Sequence, residues 1–337
     1  MSLRLVEVIL PAGNEKVVEE LVKNLKIEQL WQVKVSEKRT MSRILIPSEE
    51  SEHLLDSLDK RFSHVEGFQV MVFSITATLP RPKEEEKKPE PPAKEEPQKK
   101  IGRINREELY DGIVDTSKMT KVYVVTVALS VIVASIGLVR DNVAVIIGAM
   151  VIAPLLGPNM ALSLATTLAD VKLARLSIRT LAVGVLLAVV LAMMLGYGLD
   201  ANPDTPEILS RTTVGLGDIG LALASGCAGA LFLTIGVSTA LVGVMLAVSI
   251  LPPLVVFGLM IGSGDFDAAA NALILFATNL ICVNLAGVLT FVAQGVRPRS
   301  WWEADKAKKL TLWAVLIWCA LLALLALLIQ FSNGFKL

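Results

Sequence analysis

Two apolar stretches of this chain are interrupted by prolines at matching places. One reads Ala153-Pro-Leu-Leu-Gly-Pro158-Asn159, the other Ser249-Ile-Leu-Pro252-Pro253. Each proline removes a backbone donor and disturbs the carbonyl one turn earlier. Backbone groups freed at membrane depth must be satisfied by protein or by a polar cavity. The chemistry on offer is non-covalent: carbonyls and N–H groups, with Asn159 and Ser249 beside them, holding a small solute or an ion. A later apolar stretch adds Asn271, Thr278, Asn279, Cys282 and Asn284, of which Thr278 and Asn279 supply a hydroxyl and an amide to the candidate pathway. Such groups are costly in lipid and face other helices or water. The candidate pathway is Pro154, Gly157, Pro158, Asn159, Ser249, Pro252, Pro253, Thr278 and Asn279. The alternative is two structural kinks repaired by neighbouring helices, with the amides as interhelical glue.

Covalent chemistry finds no support. There is no nucleophile–base pair, no Gly-rich phosphate loop and no metal constellation, so neither an enzyme nor a cofactor is expected. His53 and His64 read as solvated or capping residues. Cys227, Cys282 and Cys319 lie in apolar runs without a close Cys or His and read as small buried side chains. No charged residue lies well inside an apolar run, which argues against a pump built on buried carboxylates and against a voltage sensor. The net charge is zero, so nucleic acid is not an expected partner.

The two interrupted stretches are copies. Shifted by 95 residues, Ile146–Asp170 falls without gaps on Leu241–Asp265. Gly148 meets Gly243, Met150 meets Met245, Pro158 meets Pro253 and Asp170 meets Asp265. These residue types are not what chance apolar matches align. Asp170 and Asp265 each end a broken stretch and precede the next helix, so they read as helix caps. Each copy sits in the middle of a three-span unit, repeat 1 over 122–199 and repeat 2 over 217–294. A unit with an odd number of spans must insert its copies in opposite orientations, the pattern of transporter-like folds.

The elements around the repeat read as about seven spans: 122–139, 143–168, 178–199, 215–235, 238–262, 268–293 and 310–331. Lys118, Lys121, Lys172, Arg175, Arg179, Arg297, Arg299, Lys306, Lys308 and Lys309 fall in loops on one side, which places that side and the N-terminus in the cytoplasm and the C-terminus outside. The last span lies outside the repeat, with Trp301 and Trp302 as an interfacial anchor. In the fourth, Ala222, Gly226 and Ala230 make a close-packing face.

Apolar residues are 53% of the chain and charged residues 19%, and the two populations are segregated. Residues 1–79 read as strand, helix, strand, strand, helix, strand, a ferredoxin-like α+β domain. Val18, Leu21, Val22 and Leu25 mark the first helix; Ser48 is placed to cap the second, with Leu54, Leu55, Leu58 and Phe62 buried. Trp31, Val33 and Val35 alternate as in a half-buried strand. The first apolar stretch is short and alternating, so no signal peptide is expected. Residues 80–104, Pro-rich with mixed charge, read as a disordered linker. Residues 105–117 read as an amphipathic, interfacial helix with Leu109, Ile113 and Val114 on its stripe. Residues 118–337 form the transmembrane domain.

Ser135-Ile-Gly-Leu138, Ile146-Ile-Gly-Ala-Met-Val-Ile-Ala-Pro-Leu-Leu-Gly-Pro158, Thr205-Pro-Glu-Ile-Leu-Ser-Arg-Thr212 and Thr278-Asn-Leu280 resemble the prokaryotic "uncharacterised hydrophobic domain" membrane family. The likeness covers about residues 105–295, and residues 1–79 resemble an N-terminal extension found in one branch. It implies a multi-pass protein of a prokaryotic inner membrane and brings no substrate. The reading is thus an α-helical polytopic membrane domain with an inverted three-helix repeat, plus an N-terminal cytoplasmic domain. It acts as a transporter or channel for a small solute or ion, as a homo-oligomer in the lipid bilayer. The alternative is a membrane-anchored sensor or scaffold whose soluble domain binds a small ligand or partner.

Overall fold

The computed structural model describes residues 3–23, 25, 27–75, 104–199, 201–237, 250–296 and 301–334. They fall into two compact units, Met1–Arg106 and Glu107–Leu337. Most of the expected linker, and Gly243 and Ser249, lie outside the described residues.

In the first unit β1 (Leu3–Pro11), α1 (Glu15–Val22), β2 (Gln29–Ser36), β3 (Arg39–Pro47), α2 (Ser48–Phe62) and β4 (Gln69–Ser74) follow in order. The sheet is antiparallel throughout, in the order β2-β3-β1-β4. Alternation along each strand decides the faces. Val6, Val8 and Leu10 of β1 and Ile44 and Ile46 of β3 bury against Val18 and Val22 of α1 and Leu54, Leu58 and Phe62 of α2. Two expectations need correction. Ser48 is the first residue of α2, not its cap; Pro47 precedes it and no side chain caps that end. Trp31, Val33 and Val35 are not half-buried but 43%, 45% and 54% exposed. The reason is the register: β2 is an edge strand, and Trp31 opposite Arg43 and Val33 opposite Met41 lie on the face that α1 and α2 leave open.

The second unit is helical: α3 (Arg106–Ser117), α4 (Lys121–Val139), α5 (Val143–Ile152), α6 (Leu156–Leu168), α7 (Val171–Gly198), α8 (Pro206–Thr212), α9 (Leu216–Thr234), α10 (Leu251–Ser263), α11 (Phe266–Ala293) and α12 (Trp301–Gly334). Among the described residues, α4, α7, α9 and α11 are long and apolar enough to cross a membrane. The pair α5 and α6, bent by 53°, makes a fifth if counted as one span. α10 and the apolar part of α12, Leu312–Leu327, are shorter. Residues 238–249 of the expected fifth span lie outside the described residues. Lys172, Arg175 and Arg179 do not sit in a loop: α7 starts at Val171 and carries them on its first turns. Long basic side chains can do this because their stems lie along apolar surface while the charge reaches water.

Helix limits repeat at the sequence offset of 95: α4 matches α9, α6 matches α10 and α7 matches α11, end for end. The caps repeat too. α6 ends on Ala169 at φ 55°, α10 on Gly264 at φ 88°, both left-handed. Asp170 N–H then bonds Ala165 O and Asp265 N–H bonds Met260 O, each at 2.9 Å. α4 and α9 are followed by Asp141 at φ 51° and Gly236 at φ 83°. Packing is reciprocal: α6 lies on α7 and α11, and α10 lies on α11 and α7.

Candidate functional site

The first break is short. α5 ends at Ile152, Ala153 is extended, and α6 starts at Leu156, so Pro154 stands in the turn between them. Pro158 is the third residue of α6, and Pro252 and Pro253 are the second and third of α10. Their missing N–H groups fall among the donors that a helix start leaves unpaired, so the prolines begin helices here rather than deform them. The backbone freed at the end of α5 has local partners: Ala149 O accepts from Ala153 N–H at 3.1 Å and from the Ser130 hydroxyl of α4 at 2.5 Å. Ala153 and Leu155 at the break, and Ile250 and Leu251 at the start of α10, belong to one buried apolar cluster.

The polar contact between the repeats lies just inside α6. Asn159, 0% exposed, accepts through Oδ1 from Asn284 Nδ2 of α11. Ser163, one turn on, donates its hydroxyl to Asn284 Oδ1 at 3.1 Å and also lies 3.3 Å from the backbone oxygens of Asn159 and Asn284. Asn284 Nδ2 also reaches Leu280 O at 3.0 Å. Thr167 extends the stripe, bonding Ser163 O at 2.9 Å. Asn159 Nδ2 is buried with no partner among the described residues. An unpaired buried amide donor costs about 1–3 kcal/mol, and an oxygen of a water or solute would relieve it.

The candidate residues are distributed unevenly around this cluster. Asn159 is in it. Gly157 sits beneath α3: a Cβ there would come within 2.8 Å of Thr116 Cβ and 2.9 Å of Thr116 O. Thr278 is fully buried and donates to Ile274 O of its own helix at 2.8 Å. Asn279 is buried beside it at 6% exposure, and Asn284, not Asn279, reaches Asn159. Gly148 faces open space. Asp170 caps α7 by accepting from Lys172 and Leu173 N–H at 2.9 and 3.0 Å; Asp265 caps α11 by accepting from Ala268 N–H at 3.0 Å. Sequence reasoning missed Ser163 as a site residue and noted Asn284 only as one polar residue of its span, outside the candidate pathway. The signal was Asn159, Ser163 and Thr167 spaced four apart, one polar stripe on a helix face.

Asp170 also ties α3 to the membrane unit, because Tyr110 Oη donates to its Oδ2 at 2.7 Å. Partial burial pushes the Asp170 carboxyl up. Hydrogen bonds from Leu173 N–H, Tyr110 and Lys172 N–H outweigh this, so it sits below the ordinary carboxylate value. Burial, then the bond to Asp170, pushes the Tyr110 phenol up to about 12.

The cluster is neutral and rich in oxygen and amide groups. It can hydrogen-bond an uncharged polar solute or offer carbonyl-type oxygens to a cation. Among the described residues no His, Cys, Asp and Glu group could hold a metal ion. No solved structure matches the chain. A family model described as a domain of unknown function, DUF389, matches residues 150–285, a stretch that contains the first break, α10 and Asn284. An uncharacterised protein of Methanocaldococcus jannaschii is 41% identical over 287 residues, 85% of this chain and 86% of the relative. The chain therefore belongs to this family of prokaryotic membrane proteins, and carries an N-terminal extension ahead of the family domain.

Proposed function

We propose that the protein is a membrane transporter or channel for a small solute or ion, and that α6, α11 and the Asn159–Ser163–Asn284 cluster line its pathway. The observation that carries this reading is the orphan Nδ2 of Asn159, buried in a polar cluster where two repeats of matched helix limits meet. The repeats are taken as inverted, with about seven spans, the N-terminus inside and the C-terminus outside. Cysteines at Asp204 should then be labelled from outside and those at Lys172 or Lys306 should not; labelling at Lys172 would overturn the orientation. The N-terminal unit, whose element order is that of ferredoxin-like domains, is taken as the cytoplasmic regulator.

The protein supplies its own control. At the offset of 95, Asn159, Ser163, Asn284 and Gly287 correspond to Leu254, Gly258, Val189 and Ala192. The fourfold variant Asn159→Leu, Ser163→Gly, Asn284→Val, Gly287→Ala gives one seam the residues of the other. In proteoliposomes tested with uncharged polar solutes, monovalent cations and anions, the natural protein should raise flux of one class above that of empty vesicles. The variant should remain folded and lose that flux. No flux of any class, or equal flux in both proteins, would sink the proposal. The second reading, a membrane-anchored sensor or scaffold, is favoured by the apolar packing around the break between α5 and α6 and around the start of α10. It predicts no flux and a ligand or partner on the N-terminal unit.

A further inference from the structure

The sheet of the N-terminal unit is covered on one face only. α1 and α2 take the face of Val6, Val8, Ile44 and Ile46. The other face presents Leu5, Trp31, Val33, Met41, Met71 and Phe73, one or two from every strand. Trp31, Val33 and Phe73 are 43%, 45% and 46% exposed. Large apolar side chains gathered on one open sheet face mark an interaction surface more often than scattered ones do.

We propose that this open face docks sheet to sheet on the same face of a second copy of the chain, about a two-fold axis running between β1 and β3. Three features fix the occupant. Glu7 of β1 and Arg43 of β3 are register partners joined by an ion pair of 2.7 Å at the middle of the face. Rotation about an axis between those strands sets Glu7 of each copy against Arg43 of the other, so the centre is self-complementary; an anionic lipid surface would leave Glu7 opposed. The same rotation lays the edge strand β2 over β4 of the second copy and keeps each residue at its level, placing Val33 over Gln69 of the second copy, since both are level with Met41 and Ile9. Size is the third feature. Four strands about 4.8 Å apart, paired over six residues of about 3.4 Å each, give a footprint of roughly 400 Å² per copy. That is short of the roughly 600 Å² per partner of the smallest stable interfaces between free proteins. It suffices for domains whose effective concentration is raised because their membrane units are confined to one bilayer. The inference stands whether or not the membrane unit conducts a solute.

The test uses the full-length protein in membranes. Val33→Cys and Gln69→Cys are introduced together, leaving the three native cysteines in place in every sample. Within one chain β2 and β4 are the outer strands, separated by three spacings of about 4.8 Å, too far for a disulfide. Oxidation should therefore give mainly covalent dimer. The control pair Glu20→Cys and Lys60→Cys, on exposed positions of α1 and α2, should give at least about five-fold less. Arg43→Glu sets like charges at the centre and should reduce dimer to the control level. Adding Glu7→Lys restores complementarity and should recover it. Absence of dimer at positions 33 and 69, as when linker or lipid covers the face, overturns the proposal. So does equal crosslinking of the control pair, or an Arg43→Glu loss that the charge swap fails to reverse.

Discussion

α7 meets α10 along one seam of the membrane unit, and α6 meets α11 along the other. The offset of 95 carries each seam onto the other, yet they are filled differently. At the first, Gly196, Gly258 and Gly262 let backbones touch: a Cβ on Gly258 would lie 2.5 Å from Ala192 Cβ and 2.9 Å from Val189 O. At the second, the equivalent positions hold Phe291, Ser163 and Thr167, all buried. Val189 and Leu254 of the tight seam become Asn284 and Asn159 of the polar one. A seam closed backbone to backbone leaves no room for a guest and acts as a fixed hinge plate. A seam held by side chains, with one amide donor unpaired, has both the groups and the freedom to hold something. That difference is why the pathway is assigned to α6 and α11.

The sharpest way to break the comparison is to add volume to each seam at the same position. Gly258→Val drives a branched side chain into the α7 backbone, which has no rotamer to yield. Overpacking costs typically about 1–3 kcal/mol and more where backbone must move; we expect loss of folded, monodisperse protein. Ser163→Val removes hydrogen bonds worth about 0.6–1.7 kcal/mol each in a membrane and should lower the melting temperature only moderately. Similar losses for the two variants would mean that the seams do not differ as described.

The repeat was legible because Gly, Pro and Asp at fixed offsets are few and their roles are backbone roles. Asp265 after Gly264 announces a helix stop and start without any knowledge of packing. The cap at Ala169 was hidden, because alanine gives no sign of a left-handed residue. The polar seam was only half legible. Asn159 stood out beside the prolines, whereas Ser163 and Asn284 matter through helix rotation, which a sequence with no charged face leaves free. The open sheet face was misread for a related reason: alternation shows that a strand has two faces, and only the register shows which one the helices cover.

Ala169 and Gly264 offer a smaller test of whether the halves share one frame. A non-glycine residue in the left-handed region costs about 1–2 kcal/mol, and glycine is the usual residue at this helix-ending position. Ala169→Gly should stabilise the protein by about 1 kcal/mol and Gly264→Ala should destabilise it by a similar amount, read as opposite shifts in thermal unfolding. Shifts of the same sign would show that the matching caps do not carry matching energies.

The smallest expected effect concerns a contact that one half has and, among the described residues, the other lacks. Asp170 takes a side-chain hydrogen bond from Tyr110 of α3, in addition to two backbone donors. Tyr110→Phe keeps the ring and removes the hydroxyl, a loss of about 1 kcal/mol for one hydrogen bond. The stability gap between natural protein and variant carries a pH signature. A carboxyl held below its ordinary value stabilises the fold above that value, and the contribution fades as pH falls through its folded value. The gap should therefore shrink in acid, below about pH 4. The phenol is shifted the other way, up to about 12, so its contribution holds below its ordinary value near 10 and fades as pH rises through about 12. Between these limits the gap should be flat. Amide exchange along residues 107–117 should quicken in the variant while the α11 cap at Asp265 is unchanged. Exchange that does not change, or a gap that widens in acid, would show that Tyr110 does not hold α3 to the cap of α7.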